Sequence, residues 1–264
     1  MRKYIEVARL QMKRNVAYRF QTWSRLLGDV MFIFMWYFVW KGLYNEQGTV
    51  AGVSFSQMVL YAIISQFLIT MNNASSPIWR TDHLFRTGDI ANELVKPYNF
   101  SIRILVECTA NAVSYFFLSS LWVFSATFII LKIQLPTDIY VWLLFFVSAV
   151  LGFFVRFFIE LSFSYLSFWI INIEGIRILF LFSVSLFSGS VVPLWFFPDE
   201  LEKFVNLLPF KYIYYVPNLL IVNGNKYGED AKLILMQFIW LIIMIALSQF
   251  IWIKGNKKVV VQGG

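Results

Sequence analysis

The chain has 264 residues, of which 59% are hydrophobic and 20% aromatic, and its mean hydropathy is +0.67. A soluble domain of this length could not bury so much apolar surface, so the composition excludes a soluble globular protein. The net charge of +7 arises from Lys and Arg at the ends of apolar blocks, a pattern of membrane topology and not of nucleic-acid binding. Because backbone groups inside a bilayer must be paired within the chain, an all-α polytopic membrane protein is predicted.

The first 25 residues are basic and carry a periodic apolar face. At 100° per residue the large apolar side chains fall on one side, and this face comprises Ile5, Met12, Val16, Phe20 and Trp23. Long Arg and Lys stems beside such a face extend toward lipid headgroups. The pattern predicts an amphipathic helix over 1–25 that lies at the membrane interface.

Six apolar blocks follow, and each is long enough to cross a bilayer, which takes about 20 residues. The predicted spans are 26–44, 55–76, 101–131, 139–171, 176–197 and 231–253. The second span is rich in Ser, Thr, Gln and Asn, which favours contact with other helices or a cavity. The fourth is too long for one upright crossing and too short for two, so a tilted or kinked helix is expected. A turn at Asn172–Gly175 leads to the fifth span, which Pro193 and Pro198 are expected to close.

Six spans place Met1 and Gly264 on the same side of the membrane. Most Lys and Arg residues lie on that side, which predicts cytoplasmic termini by the positive-inside rule. The chain is thus a single membrane domain over 1–264, with a cytoplasmic loop at 77–100 and an outer segment at 198–229.

The cytoplasmic loop 77–100 contains signals for a short helix. Gly88 permits a turn, Asp89 can cap a helix over Ile90–Val95, and Pro97 ends it. Glu93 and Lys96 supply charges on that helix. Two interpretations stay open, a solvated linker and a docking helix for a cytoplasmic partner.

The outer segment 198–229 carries the spacing of a capping box at Asp199 and Glu202, followed by apolar residues at helical spacing. Pro209 is expected to end this helix, and Pro217 to break a second apolar piece over Tyr212–Val222. These pieces can dip into the outer leaflet without crossing it. They form either an ordinary interfacial lid or an outer gate.

Arg156 and Glu160 lie one helical turn apart within the fourth span. Charges near the middle of a bilayer are costly unless they are paired or wetted. The pair is either a structural ion pair or a substrate or proton site, and Glu107 could instead pair with Arg156 across helices. The spacings that indicate a metal site, a P-loop or a catalytic triad are absent from the sequence, so we expect no catalytic site and no metal site.

The order of these features resembles the membrane subunit of an ABC-type exporter of the type 2 permease class. Besides the basic helix before six spans, the run Arg86-Thr87-Gly88-Asp89 with Leu94-Val95-Lys96-Pro97 is similar to the R-x-G-x-[LI]-x-x-x-L-x-[RK]-P pattern between spans 2 and 3 of this class. The run from Ser188-Gly189 to Pro193-Leu194-Trp195-Phe196-Phe197-Pro198, with Leu208-Pro209-Phe210, is similar to its fifth span ending and outer re-entrant segment.

The resemblance implies a pathway formed by two permease chains, identical or related, and driven by separate ATPase subunits that bind ATP and Mg. The chain itself would hold no cofactor and would lie in a bacterial inner membrane as part of an efflux system. The implied ATPase-coupling residues are Arg86, Gly88, Asp89, Glu93, Leu94, Lys96 and Pro97. The implied outer-gate residues are Gly189, Pro193, Pro198, Pro209 and Phe210. Spans 1, 2 and 5 would line the pathway.

Two other functions stay open. A secondary transporter driven by an ion gradient would use intramembrane acids, here Glu107 and Glu160. A membrane assembly factor or immunity protein would transport nothing and would need no ATPase partner. The sequence leaves the substrate open.

Overall fold

A computed structural model describes residues 2–44, 48–170, 174–223 and 227–258. Its α-helices are α1 (Arg2–Ala17), α2 (Arg19–Leu43), α3 (Phe55–Asn73), α4 (Pro77–Arg86), α5 (Ile90–Val95), α6 (Phe100–Tyr115), α7 (Leu121–Leu131), α8 (Ile139–Tyr165), α9 (Glu174–Phe187), α10 (Asp199–Asn206), α11 (Tyr215–Asn223) and α12 (Tyr227–Asn256). Two short strands, β1 (Thr49–Val50) and β2 (Val53–Ser54), form an antiparallel hairpin between α2 and α3. Met1, Gly264 and part of the expected turn at Asn172–Gly175 lie outside the described residues.

Five helical stretches in the described residues are long and apolar enough to cross a membrane, which confirms an all-α polytopic protein. They are Trp23–Leu43, Phe55–Arg86, Phe100–Leu131, Ile139–Phe168 and Gly228–Asn256. These stretches cover the predicted spans 1, 2, 3, 4 and 6. A π-helical turn over Phe116–Ser120 joins α6 to α7 within the third stretch.

The predicted N-terminal helix over 1–25 is divided into two. α1 ends at Ala17, and Tyr18 precedes α2, so Phe20 and Trp23 belong to the first spanning helix and not to the amphipathic one. The apolar residues Ile5, Met12 and Val16 of α1 are exposed, as a membrane-facing surface requires. The opposite side of α1 packs against α6.

The fifth predicted span, 176–197, is wrong as a continuous helix. α9 ends at Phe187, six residues before Pro193, because Gly189 adopts a positive φ of +72° and reverses the chain. Its 14 residues extend about 21 Å, less than the roughly 30 Å thickness of a hydrocarbon core. The reversal is held from outside the helix, since the Tyr61 hydroxyl donates to the Gly189 carbonyl at 2.6 Å.

The outer segment differs in detail from its prediction. Asp199 is the first residue of α10 and its carboxylate forms no capping bond, because Pro198 occupies the N-cap position. α10 ends at Asn206, before Pro209. Pro217 does not break the second piece but lies in the first turn of α11, where a missing N–H leaves no bond unmade.

α8 is the central helix of the fold. It packs against α12, α11, α4 and α9, and its 27 residues extend about 40 Å, which is longer than a hydrocarbon core of about 30 Å. Gly152 on α8 lies directly against the backbone of the outer segment. A Cβ atom there would lie 2.8 Å from the Ile213 carbonyl oxygen and 2.9 Å from that of Tyr212. The outer segment therefore packs its backbone directly on α8.

We predict that Gly152→Ala destabilises the protein by about 1–3 kcal/mol, because the added methyl group meets backbone atoms that have little room to move. The change should lower the melting temperature of the detergent-purified protein. Gly42→Ala on α2 is the matched control, since a Cβ atom there meets nothing within 4 Å. Equal melting temperatures for Gly152→Ala and the wild type would contradict the close contact.

Candidate functional site

A groove of about 1090 Å³ runs along α2 and α3. Its walls come mainly from these two helices, with α1, α4 and α6 at one end and the turn after α9 at the other. The lining residues are Gln11, Arg14, Asn15, Tyr18, Arg25, Gly28, Asp29, Phe32, Met35, Trp36, Trp40, Met58, Tyr61, Ala62, Ser65, Gln66, Ile69, Thr70, Asn73, Ala74, Ser76, Trp79, Arg80, Asn111, Tyr115, Ser190 and Val191. Spans 1 and 2 thus line a cavity, together with the turn that follows α9.

A polar stripe joins the two walls of the groove. On α2, Asp29 is 9% exposed, and its Oδ1 atom accepts hydrogen bonds from Thr70 at 2.8 Å and Gln66 at 3.1 Å, both on α3. This explains why the second span is rich in amides and hydroxyls. The sequence reasoning overlooked Asp29, although an acid placed just inside the first apolar block is the kind of residue that marks a functional position.

Aromatic rings and a tight turn close the outer end of the groove. Trp40 stacks on Phe196 with ring centroids 5.8 Å apart, and Tyr61 contacts Trp195 edge-on at 5.1 Å. Gly189, whose carbonyl Tyr61 binds, forms the turn itself. A Cβ atom at Gly189 would lie 3.0–3.2 Å from side-chain atoms of Tyr61 and Tyr215, so glycine is required for both conformation and space.

The other implied outer-gate residues lie around this turn. Pro193 is buried and precedes a 3-10 turn over Leu194–Phe196, and Pro198 precedes α10. Pro209 precedes a second 3-10 turn, in which Phe210 packs against Phe187 at 6.2 Å. Pro198, Pro209 and Phe210 therefore lie in the outer segment, and Gly189 and Pro193 lie in the turn that precedes it, with Gly189 adjacent to the lining residue Ser190.

Arg156 and Glu160 form a buried ion pair. Their side chains are each 3% exposed, and Arg156 Nε lies 3.6 Å from Glu160 Oε2. The guanidinium also donates to Asn73 Oδ1 at 2.8 Å, at the end of α3, and to the hydroxyl of Tyr214 in the outer segment. The pair therefore links α8 to both the groove wall and the outer segment.

The carboxylate of Glu160 binds polar groups at the start of α4. It accepts hydrogen bonds from the Ser76 hydroxyl and from the Ile78 backbone N–H. The first N–H groups of a helix have no partner within it and favour a negative charge nearby. Glu160 thus holds the break between α3 and α4 in place.

The alternative partner, Glu107, does not reach Arg156. Its carboxylate lies 2.9 Å from Arg103 Nε, one turn away on α6, and 3.6 Å from Arg80 Nη1 on α4. Arg80 also donates to Gln11 of α1 at 3.2 Å. Glu107 therefore joins α6 to α4 and, through Arg80, to α1. The described residues contain no cluster of His, Cys, Asp or Glu able to hold a metal ion.

The cytoplasmic loop contains α5 at the predicted bounds, Ile90–Val95. Gly88 has a φ of +77°, which a turn into this helix requires. Asp89 occupies the N-cap position but forms no capping bond, because its backbone is already helical. Its carboxylate instead accepts from the Thr87 hydroxyl at 2.7 Å. Lys96 is extended, as the residue before Pro97 must be, and the helix ends there.

Glu93 points inward and not toward a partner. It accepts hydrogen bonds from Lys96 at 2.6 Å and Tyr98 at 2.8 Å, and it forms an ion pair with Arg103 of α6. Burial raises the pKa of Glu93, but the hydrogen bonds from Lys96 and Tyr98 and the charge of Arg103 outweigh burial and leave the pKa below its usual value. Glu93 is therefore ionised at neutral pH and fastens α5 to α6.

The outward face of α5 consists of other residues. Val95 is 87% exposed, and Asn92 and Lys96 are exposed beside it, whereas Leu94 packs in a hydrophobic cluster with Ile90 and Phe100. Arg86, at the end of α4, is exposed and pairs with Asp82 at 3.1 Å. Of the seven implied coupling residues, Glu93 and Leu94 thus hold the loop together and the others lie on or near its surface.

α1 is fastened to the same loop. Lys3 donates to the Pro97 carbonyl at 2.9 Å, and the Asn99 backbone N–H donates to the Tyr4 hydroxyl at 3.1 Å. Further along α1, Gln11 donates to Asn111 of α6 at 3.2 Å. α1, the loop and the start of α6 therefore form one hydrogen-bonded unit at the end of the groove that α1, α4 and α6 line.

Comparison with protein families gives one match that covers most of the chain. The family model described as "ABC-2 family transporter protein" matches residues 30–263. Searches among curated proteins and among solved structures return no match. The matched region contains Gln66 and Thr70 of the polar stripe, the ion pair, the cytoplasmic loop and the outer segment, and Asp29 immediately precedes it.

We predict that Arg156→Met or Glu160→Met alone costs about 3–5 kcal/mol, because each leaves one buried charge without its partner. The double change should recover only part of the folded yield, since Asn73, Tyr214, Ser76 and the Ile78 N–H all lose a partner. Glu160→Gln, which keeps an acceptor for Ser76, should cost less than Glu160→Met. Monodisperse protein recovered by size-exclusion chromatography measures this order, and wild-type yields for both single variants would contradict a buried pair.

Proposed function

The chain belongs to the ABC-2 transporter family, and from that premise we propose that it is the pathway-forming permease of an ATP-driven exporter. The observation that carries the proposal is the groove of about 1090 Å³ along α2 and α3, polar inside helices that are otherwise apolar. A bilayer-spanning helix gains nothing from Asp, Gln and Thr unless they face other helices or water. A pathway for a substrate that carries a polar group needs such a stripe.

The chain needs a second permease to complete this pathway. Phe32 and Met35 line the groove and are themselves exposed, so the groove opens along α2. A second copy or a related chain facing α2 would convert two grooves into an enclosed passage. In this arrangement α9 and the outer segment enter the outer leaflet together and form the sixth membrane element, although they do not form a continuous span. They also form the outer gate.

Energy enters through the cytoplasmic loop in this proposal. The sequence contains no G-x-x-x-x-G-K-[ST] loop, so ATP and Mg would bind to a separate ATPase subunit. Val95 and Asn92 on the outward face of α5 offer that subunit an exposed contact. Glu93 fastens α5 to α6, and α1 is hydrogen-bonded to Pro97 and Asn99 of the same loop. A displacement of α5 is thereby passed to the helices at the cytoplasmic end of the groove.

We predict that Val95→Asp weakens copurification with a P-loop ATPase by about tenfold, since an unpaired carboxylate in an interface costs well over 1 kcal/mol. Folding should be unaffected because Val95 is 87% exposed. Leu207→Asp is the control, because Leu207 is an apolar residue beside α10 that is also largely exposed, at 74%. Unchanged association of Val95→Asp, or transport by the purified chain in the absence of any ATPase, would contradict the proposal.

We propose that the chain lies in a bacterial inner membrane with its termini and the 77–100 loop in the cytoplasm. Single cysteines test this orientation, because the native Cys108 is buried. Val95→Cys should react with an impermeant thiol reagent only after the membrane is opened, and Leu207→Cys should react in intact cells. Labelling of Val95→Cys from outside would reverse the topology.

A further inference from the structure

The cytoplasmic end of the groove presents more positive than negative charge. Arg14 of α1, Arg25 of α2 and Arg80 of α4 all line it. Arg80 is already paired with Glu107 at 3.6 Å. Among the described residues Arg14 forms no ion pair and no side-chain hydrogen bond, and Arg25 lies over the ring of Tyr115 at 6.0 Å. At this mouth the guanidinium of Arg14 is thus available, and that of Arg25 interacts with Tyr115 and lies within electrostatic reach of Asp29.

Asn15, beside Arg14, adds an unused hydrogen-bond donor. An arginine can only donate, so the bond from Arg80 fixes Gln11 with its oxygen toward Arg80 and its amide nitrogen toward α1 and α6. That nitrogen donates to Asn15 Oδ1 at 3.1 Å and to Asn111 Oδ1 at 3.2 Å. Asn15 Nδ2 is then left buried with no acceptor among the described residues. A buried donor without a partner is costly and indicates an acceptor that completes it.

The negative charge nearest this mouth belongs to Asp29, and one of its two oxygens, Oδ2, is buried with no hydrogen-bond partner among the described residues. Its Oδ1 atom accepts from Gln66 and Thr70, and it lies one turn further along α2 from Arg25. Beyond it the groove becomes apolar and aromatic, with Phe32, Met35 and Trp36 along the same helix. The groove therefore changes from basic to apolar along its length, as the two ends of an amphiphile require.

We propose that the cytoplasmic mouth of the groove binds the anionic headgroup of a membrane amphiphile, with Arg14, Arg25 and Asn15 Nδ2 as its donors and the hydrocarbon part against Phe32 and Trp36. The inference rests on the proposed function, because it names the substrate class for the proposed pathway. A headgroup with phosphate-like oxygens suits these donors, since guanidinium and amide N–H groups bind such oxygens strongly. A cationic headgroup would meet both arginines before it reached Asp29.

The position of the mouth also favours an amphiphile over a soluble anion. α1 carries its exposed apolar residues Ile5, Met12 and Val16 on the surface expected to lie in the membrane, which places Arg14 and Asn15 near headgroup level. A lipid-like molecule in the inner leaflet could thus place its headgroup at the mouth without leaving the membrane. A free phosphate would fill the basic end and leave the apolar end of a groove of about 1090 Å³ unused.

Tryptophan fluorescence tests the proposal, because Trp36 and Trp40 line the groove. The full chain is reconstituted into phosphatidylcholine vesicles that contain increasing fractions of brominated phosphatidylglycerol or, in a parallel series, brominated phosphatidylcholine. We expect extra quenching with the anionic lipid, and we expect Trp36→Phe with Trp40→Phe to remove that excess. Arg14→Gln with Arg25→Gln should raise the lipid fraction needed for half of the excess by about tenfold, as the loss of charge-assisted bonds implies.

The control is Arg9→Gln with Lys13→Gln, which removes two charges from α1 outside the groove. It should change the lipid fraction needed for half of the excess quenching by less than about twofold. Asn15→Asp is a second test that keeps the size of the side chain. It should also reduce the excess quenching by the anionic lipid, because the new carboxylate repels the headgroup. Three results would overturn the proposal. The two double variants could shift the half-maximal lipid fraction equally, or brominated phosphatidylglycerol could quench no more than brominated phosphatidylcholine. Glycerol phosphate could also displace the brominated lipid as efficiently as unbrominated phosphatidylglycerol does. Copurification with the ATPase is measured on the same variants. If the wild type shows no preference for the anionic lipid but still binds the ATPase, the lipid inference fails and the proposed function stands.

Discussion

The buried ion pair between Arg156 and Glu160 is the constraint on which most of the architecture depends. An unpaired charge in an apolar interior costs several kcal/mol, and an ion pair offsets that cost only when further hydrogen bonds satisfy both groups. Here the guanidinium reaches Asn73 and Tyr214, and the carboxylate reaches Ser76 and the start of α4. The bonds that make the pair tolerable also fix α3, α4 and the outer segment to α8.

The groove is a consequence of this arrangement. The break between α3 and α4 is held by Glu160, so α3 keeps a fixed position opposite α2 and presents Gln66 and Thr70 to Asp29. At the outer end the backbone of the outer segment packs on Gly152, and Tyr61 holds the turn at Gly189. The cavity is thus closed at one end by packing and stays open along α2, as one half of a two-subunit passage would be.

The cytoplasmic end is built as a single unit for a different reason. Glu93, Lys96, Tyr98 and Arg103 satisfy one another in a partly buried cluster, and α1 adds bonds to Pro97 and Asn99. Networks of this kind resist distortion because several polar groups would lose their partners together. We therefore expect a force applied to the outward face of α5 to move α1 and the start of α6 with it. Arg14 and Asn15 of the basic mouth lie on α1, so substrate and ATPase would both act on that helix.

The sequence by itself determined the all-α membrane class, the family, five of the spanning stretches and the helix over Ile90–Val95. These features depend on local properties, which are the length of an apolar block, its helical period, and a Gly before and a Pro after a short helix. It did not determine where α9 ends, since Gly189 stops the helix only in combination with Tyr61 and the docked outer segment. Nor could it assign partners to Glu93, Glu107 and Arg156, because each carboxylate or guanidinium had several possible partners in sequence. Burial in the folded chain decided among them: a buried charge pairs with whichever opposite charge the packing brings within reach, and only the tertiary structure specifies that distance.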